Sequence, residues 1–272
     1  MAASDLTPGE LLAMGRLGAA IEAANAQVRR TPTDIGGRVL LAELLLLGGN
    51  VDRADTLLDA AGQIDPSIAP GVAEFRQLLR AEQARRQLRR DGRVPEFIGE
   101  PTPALRACLA ALVAQRGGDA AEAARQAAEA EEKRPRAGGV MAGPQGDVSF
   151  DDFRDADDFC AGYFEVLTTT GKYFWIPTER VASVEFHPPR RARDLAWRRA
   201  SMSVTAGPDG EVYVPAIYDT LEAEIGEELR LGRATDWRGP EQGPMSGLGQ
   251  RLFLVGDEAL SIMELTTLRF AS

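Results

Sequence analysis

The sequence is short of the residues on which most enzyme chemistry depends. It holds one histidine, His187, two cysteines, and only two lysines, Lys133 and Lys172, among 31 basic residues. A zinc site needs several nitrogen, sulfur or carboxylate ligands at coordinating spacing, and a lone histidine in VEFHPP with two distant cysteines supplies no such set. A Ser-His-Asp or Cys-His arrangement needs a base beside its nucleophile, yet no motif surrounds His187 and no G-x-S-x-G elbow is present. His187 is therefore expected to be structural or exposed. The scarcity of lysine carries no functional message.

Long apolar runs are missing too. The longest, VLLAELLLL from Val39 to Leu47, is short and broken by Glu43. The opening MAASDLTPGELLAMG has no basic segment ahead of an apolar one. Neither a membrane span nor a signal peptide is expected, which points to the cytoplasm. Cys108 sits in a helical pattern of alanine and leucine, and Cys160 follows an acidic, aromatic segment. Both are expected to be buried thiols in a reducing compartment, with no disulfide between them.

What is present is enough to fold. With 272 residues, 44% hydrophobic and 26% charged, the chain is long enough for two domains with their own cores. Its net charge of −10 is uneven: residues 1 to 146 carry 18 basic and 19 acidic side chains, residues 147 to 272 carry 13 and 22. An acidic second half repels nucleic acid and anionic lipid, so a macromolecular partner is expected to be a protein.

The first half is repetitive. Thr7, Pro8 and Glu10 make a capping box that starts a helix. GRLGAAIEAANAQVRRTP (Gly15 to Pro32) then aligns without gaps on GNVDRADTLLDAAGQIDP (Gly49 to Pro66) at an offset of 34 residues, and GDAAEAARQAAEAEEKRP (Gly118 to Pro135) is a third copy. Helix, glycine turn, helix with small inner residues and stopping proline at this period resemble the tetratricopeptide repeat. Residues 67 to 90 are expected as one long helix, DGRVPEFIGEP as a loop, and 102 to 116 with 119 to 133 as a last helix pair. The predicted helical domain is 1–135.

PRAGGVMAGPQGD, with its glycines and prolines, is expected as a linker over 136–147. Beyond it the apolar period changes to two. YFEVLTT, KYFWIP, RVASVEFH, ASMSVTA, EVYVPAIY and RLFLV predict six or seven strands in domain 148–272, as a mainly antiparallel sheet or a partly closed barrel. LEAEIGEELRL (221 to 231) is expected as its one clear helix. The fold class is thus α+β in two domains.

Three segments attract attention as sites. FDDFRDADDFC fails the calcium test, because a loop starting at Asp155 puts Phe159 at a ligand position and Cys160 where glycine is needed; the cluster is expected to cap a helix and face water. GPMSGLGQRLFLVGDE (243 to 258) is rich in glycine, but phosphate loops run from strand through turn to helix, and this stretch leads into a strand. Its glycines are expected to shape turns, and Arg251 with Asp257 and Glu258 to tie strand ends together. The long helix carries Arg76, Arg80, Arg85, Arg86, Arg89 and Arg90, which could bind an acidic partner segment or the chain's own acidic half, or simply be solvated.

KYFWIPTERV, RDLAW, YVPAIY, RATDW and GLGQRLFLVGDE, in that order behind a helical repeat carrying FIGEP, resemble the ImpE/TagJ (SciE-type) accessory proteins of bacterial type VI secretion systems. The resemblance spans nearly the whole chain. It implies a cytoplasmic, non-enzymatic protein that binds the N-terminal helix of the contractile sheath's small subunit and is linked to the ClpV-type ATPase that recycles sheaths. It implies no cofactor, no metal and no catalytic residue. The motif residues Trp175, Trp197, Tyr213, Tyr218, Arg233, Asp236, Trp237, Gly249, Arg251, Asp257 and Glu258 are expected to be structural, the tryptophans as core or interface aromatics. The alternative is a small-molecule- or nucleotide-binding regulator, or an enzyme, using the sheet domain with Arg251, Tyr213 and Trp237 as lining.

Overall fold

A computed structural model of the chain describes residues 6–144, 146–219, 225–241 and 243–271. Its first half consists of α1 (Pro8–Ala13), α2 (Leu17–Arg30), α3 (Ile35–Leu47), α4 (Val51–Ile64), α5 (Ala69–Asp91), α6 (Pro103–Arg116) and α7 (Ala120–Lys133). The pairs α1–α2, α3–α4 and α6–α7 each turn on a glycine in the left-handed region, Gly15, Gly49 and Gly118, with φ of 79°, 84° and 77°. A side chain would be strained there, which explains why the glycine recurs. The repeat alanines Ala20, Ala54 and Ala123 are buried between the paired helices, where small side chains allow close approach.

The residue after each turn glycine is placed to cap the second helix. Asn50 accepts from the Arg53 amide and Asp119 from the Glu122 amide. The first pair has Arg16 at this position and no side-chain cap of its own. There Glu227 supplies the missing acceptor, taking a 2.5 Å hydrogen bond from the Gly18 amide, and Arg233 donates to the carbonyls of Leu12 and Ala13 at the end of α1, at 2.8 and 2.9 Å.

The second half is built on strands. They are β1 (Glu96–Phe97), β2 (Gly139–Met141), β3 (Val148–Phe150), β4 (Phe153–Asp155), β5 (Tyr163–Leu167), β6 (Tyr173–Pro177), β7 (Val181–Phe186), β8 (Trp197–Val204), β9 (Asp209–Pro215), β10 (Thr235–Arg238), β11 (Ser246–Gly249), β12 (Leu252–Val255), β13 (Glu258–Ser261) and β14 (Thr267–Phe270). Nine form a sheet in the order β1-β6-β5-β9-β8-β7-β14-β2-β3, β10 pairs with β11, and β4, β12 and β13 make a third sheet. All of these pairings are antiparallel except β1 with β6. The large sheet is open, with β1 and β3 at opposite edges, so it is not a barrel.

Several expectations need correction. The stretch read as a linker contains β2, which pairs with β14 and β3. The loop expected after the long helix contains β1, which extends the sheet from within the helical half. Of the helix expected over 221 to 231, only a single turn, α8 (Glu227–Arg230), is present behind Gly226, and residues 221 to 224 lie outside the described ones. The glycine-rich GPMSGLGQ is not only a turn: Ser246–Gly249 is a strand registered on the RATDW segment.

Alternation on the sheet separates two cores. Tyr163, Leu167, Tyr173, Trp175 and Trp197 face the helices and join Phe75, Leu78 and Leu105 in one cluster. Phe164, Val166, Ile176, Val184 and Met202 face the other way and pack with Phe153 and Phe253. The helical and sheet halves therefore share a core.

Candidate functional site: the arginine-lined cleft between the halves

Helical spacing sorts the arginines of α5. Arg85 and Arg89, one turn apart, face the sheet, while Arg86 turns toward the α3–α4 turn and donates to the Gly49 carbonyl at 2.8 Å. Arg76 lies on another side, bound to Asp55 at 2.7 Å and to Asp59. Arg80 is exposed and donates to Gln77 at 3.3 Å.

Arg85 is the centre of a buried charge network. It donates in bidentate fashion to Glu165 on β5, at 3.0 and 3.1 Å, and to the Ile217 carbonyl at 3.0 Å. Arg251, fully buried, approaches the same Glu165 carboxylate, to which Tyr173 also donates. Arg251 also lies 3.3 Å from Asp155, and its guanidinium sits 5.2 Å over the Tyr218 ring. Tyr218 in turn donates to Asp155 at 2.7 Å. Arg89 is 4.0 Å from both Asp157 and Asp219.

Burial by itself would push the Glu165 carboxyl up, but the guanidinium charges of Arg85 and Arg251 hold it well below the usual carboxylate range. At Asp155 burial prevails over Arg251 and pushes the carboxyl up to about 7. The difference lies chiefly in the neighbouring charges: Glu165 sits beside two guanidinium groups, Arg85 and Arg251, whereas Asp155 has Arg251 alone and is repelled by Asp157.

The acidic segment FDDFRDADDFC thus behaves differently from expectation. It caps no helix, and Asp155 and Asp157 are buried. Asp157 organises the glycine-rich stretch, accepting from the Gly247 amide at 2.9 Å and the Phe159 amide at 2.8 Å. A Cβ on Gly247 would lie 2.2 Å from the Tyr218 ring, and one on Gly249 2.2 Å from the Ala234 carbonyl. These glycines serve close packing. Arg251 is joined to Asp155 and Glu165, while Asp257 and Glu258, expected beside it, are exposed at the β12–β13 turn.

The remaining motif residues are dispersed. Trp175 donates to the Tyr173 hydroxyl at 2.6 Å, and Trp197 donates to Glu82 at 3.2 Å while meeting Phe75 edge-on at 6.0 Å. Tyr213 donates to Glu74 of α5 at 3.0 Å. Asp236 is exposed, and Trp237 is half-buried 5.9 Å from Tyr218. Of the three grouped above as a possible lining, Arg251 and Trp237 both lie against Tyr218, whereas Tyr213 is apart from them on β9, bonded to Glu74. Sequence reasoning missed Glu165, Asp157, Asp219 and Glu82 as the partners of the α5 arginines, and Asp155 as that of Arg251. The available signal was Glu165 itself, a charge inside the apolar strand YFEVL.

Beside this network lies a cavity of about 270 Å³ with a floor of Leu46, Leu47, Ala196, Trp197 and Ile217. Its charged walls are Arg85, Arg86, Arg90, Arg230, Glu82 and Asp219. Among the described residues, no group of three or more His, Cys, Asp or Glu could hold a metal ion, and no helix is long and apolar enough to cross a membrane. Cys108 and Cys160 are buried and unpaired; burial pushes the Cys108 thiol up to about 12.

The family profile described as "ImpE protein" matches residues 147–269. The Pseudomonas aeruginosa protein described as "Type VI secretion system accessory component TagJ" is 31% identical over 265 residues, 96% of this chain and 90% of that protein. The chain belongs to the ImpE/TagJ family. A Vibrio parahaemolyticus protein of known crystal structure superposes with a TM-score of 0.88 at 28% identity, covering 97% of each chain. In this ImpE/TagJ chain the profile covers the acceptors Asp155, Asp157, Glu165 and Asp219 together with Arg251, whereas the donors Arg85 and Arg89 lie outside it.

Proposed function

We propose that this protein is a cytoplasmic, non-enzymatic accessory component of a type VI secretion system, an adaptor that binds the N-terminal helix of the contractile sheath's small subunit and is linked to the ClpV-type ATPase that recycles sheath. The observation that carries this reading is the likeness over nearly the full length to TagJ, described as an accessory component of that system. The architecture supports it: two helix pairs 34 residues apart, continued by α5 and a third pair, are the kind of array whose grooves accept an amphipathic helix. The charged groups also suit an adaptor, since Arg85, Arg251, Glu165 and Asp155 are engaged with one another in the interior and serve to join the two halves. Among the α5 arginines, Arg80 and Arg90 are the exposed ones available to an acidic partner segment.

Calorimetry with the purified sheath small subunit, and separately with its N-terminal peptide, tests the reading. Saturable binding to both is expected. Absence of detectable binding to either would sink the adaptor assignment.

A further inference from the structure

The large sheet ends on β3, a short strand between acidic neighbours: Val148, Ser149 and Phe150 stand between Asp147 and Asp151, and among the described strands β3 pairs with β2 alone. The direction of its free backbone groups follows from the next ladder. The Ala142 amide donates to the Thr267 carbonyl and the Ala271 amide to the Gly138 carbonyl, both at 2.8 Å, so Ala142, Val140 and Gly138 turn their backbone groups toward β14. Met141 and Gly139 alternate toward β3, where their partners are Val148 and Phe150. Ser149 is thereby left with its amide and carbonyl directed outward, at an exposed position.

The chain is covered further along. After Asp151 and Asp152 it continues as β4, whose partner is β12, and the Gly256 amide donates to the Asp152 carbonyl at 2.9 Å. The β12–β13 turn stops against Phe150, where a Cβ on Gly256 would lie 3.5 Å from the Phe150 Cβ. Between this turn and β3 opens a groove of about 570 Å³ with an apolar floor of Met141, Val148, Phe150 and Val255. Val148 is 55% exposed there. The charged lining of the groove is acidic throughout, from Asp151, Asp257 and Glu258. Asp151 has Arg136 at 3.7 Å, whereas Asp257 and Glu258 have no counter-ion among the described residues.

We propose that the outer edge of β3 is a docking site for a short, extended and basic segment of a partner protein, which pairs with Ser149 and continues the sheet. Strand addition needs outward main-chain groups to bond and a surface that receives alternate side chains, and this edge has both. Every second side chain of the segment falls on the apolar floor around Val148 and Met141, and a lysine or arginine nearest the β12–β13 turn meets Asp257 and Glu258. The length of β3, about 10 Å at roughly 3.4 Å per residue, suits a segment of a few residues. A second copy of this chain is the poorer occupant, because in a chain of net charge −10 it would bring the same carboxylates against those already there. Shortness and flanking charge are the usual guards against such self-pairing, and the charge that repels a copy favours a cationic strand. The site uses no surface of the helical repeats and stands apart from the helix-binding role proposed above.

Titration of the full-length protein with three short synthetic peptides, followed by calorimetry and amide exchange, tests the site. One alternates lysine and valine, one has glutamate in place of lysine, and one is the lysine peptide N-methylated at alternate residues so that it cannot pair. The lysine peptide is expected to bind saturably, to weaken as salt rises, and to slow exchange of the Ser149 amide; the other two should bind at least roughly tenfold more weakly. Ser149→Pro removes the outward amide at an edge position where proline is tolerated, and should abolish binding without lowering the melting temperature. Asp257→Asn combined with Glu258→Gln should weaken the lysine peptide by roughly fivefold, the worth of two exposed ion pairs, and flatten its salt dependence. The N-methylated peptide and the charge variant carry the test by themselves if Ser149→Pro melts lower. The proposal is overturned if the lysine peptide does not bind, if either control peptide binds as tightly, or if the charge variant binds as the wild type does. Dimerisation in sedimentation that Ser149→Pro abolishes would also overturn it, by making a second copy the occupant.

Discussion

Glu43 should make the stability of this protein fall as the pH rises through neutrality. The residue interrupts the apolar run of α3 and is 6% exposed, packed toward the short 3-10 turn Ala192–Leu195 of the sheet half. Burial pushes its carboxyl up from 4.5 to about 7, against the pull of the Arg193 and Arg191 charges and with the Asp194 charge adding to the rise. Arg193 cannot neutralise it fully, because that guanidinium is bound to Glu74 at 2.9 Å and lies 4.8 Å over the Phe75 ring. The folded state thus holds its proton more tightly than the unfolded chain does. Below about 4.5 both states are protonated and nothing is lost; between about 4.5 and about 7 the unfolded chain ionises alone and stability drops; above about 7 the loss is complete. Its size is about 3 kcal/mol, the equivalent of the gap between the two values. Glu43→Gln keeps the shape of the neutral acid and removes the titration. In thermal denaturation the variant should match the wild type near pH 4 and melt roughly 6–12 °C higher at pH 8, at about 2–4 °C per kcal/mol for a chain of this size. A difference that does not change with pH, or a variant less stable at pH 8, would refute the reasoning.

Replacing Arg85 by Met should cost about 3–5 kcal/mol in urea denaturation, since it leaves Glu165 buried with half its donors gone. Arg76→Ala, which breaks a part-exposed pair, should cost at most about 1 kcal/mol by the same measurement. Equal effects would contradict the distinction between the two faces of α5. Glu227→Ala should cost about 1 kcal/mol, the worth of a helix cap, and speed amide exchange at residues 17 to 20 while the N-termini of α4 and α7 stay protected. Arg16→Asn, which puts a capping side chain where Asn50 and Asp119 have theirs, should restore that protection. Failure of the rescue would show that Glu227 acts some other way.

The helical half was legible because its signals are local. Turn glycines, stopping prolines and the Thr7 box act within a few residues, and the period of 34 repeats them. Six strands were legible for the same reason, as short β-branched and aromatic runs bounded by turn residues, although β5 is buried on both faces. What could not be read were elements defined by their partners. Glu96–Phe97 and Gly139–Met141 are strands only because β6 and β14 lie beside them, and glycines and a nearby proline suggest the opposite locally. The site divided in the same way. The arginines of α5 were visible as a row, but the side that Arg85 and Arg89 face depends on a sheet formed about eighty residues later, and the burial of Asp155 and Asp157 inverts what a run of aspartates ordinarily means.

The joining of Arg85 to Glu165 bears on the order of folding. Helix pairs gather contacts between near neighbours in sequence and are fast to form, whereas bonds spanning 80, 132 and 209 residues, from Arg85 to Glu165, Arg85 to Ile217 and Gly18 to Glu227, must wait for distant chain to arrive. Until then α5 presents its arginines to water, where their charge is no burden, and the Trp197 docking surface is open. Withdrawal of those arginines from water is expected to come late, so substitutions at Arg85 should alter the last kinetic phase and leave the first untouched.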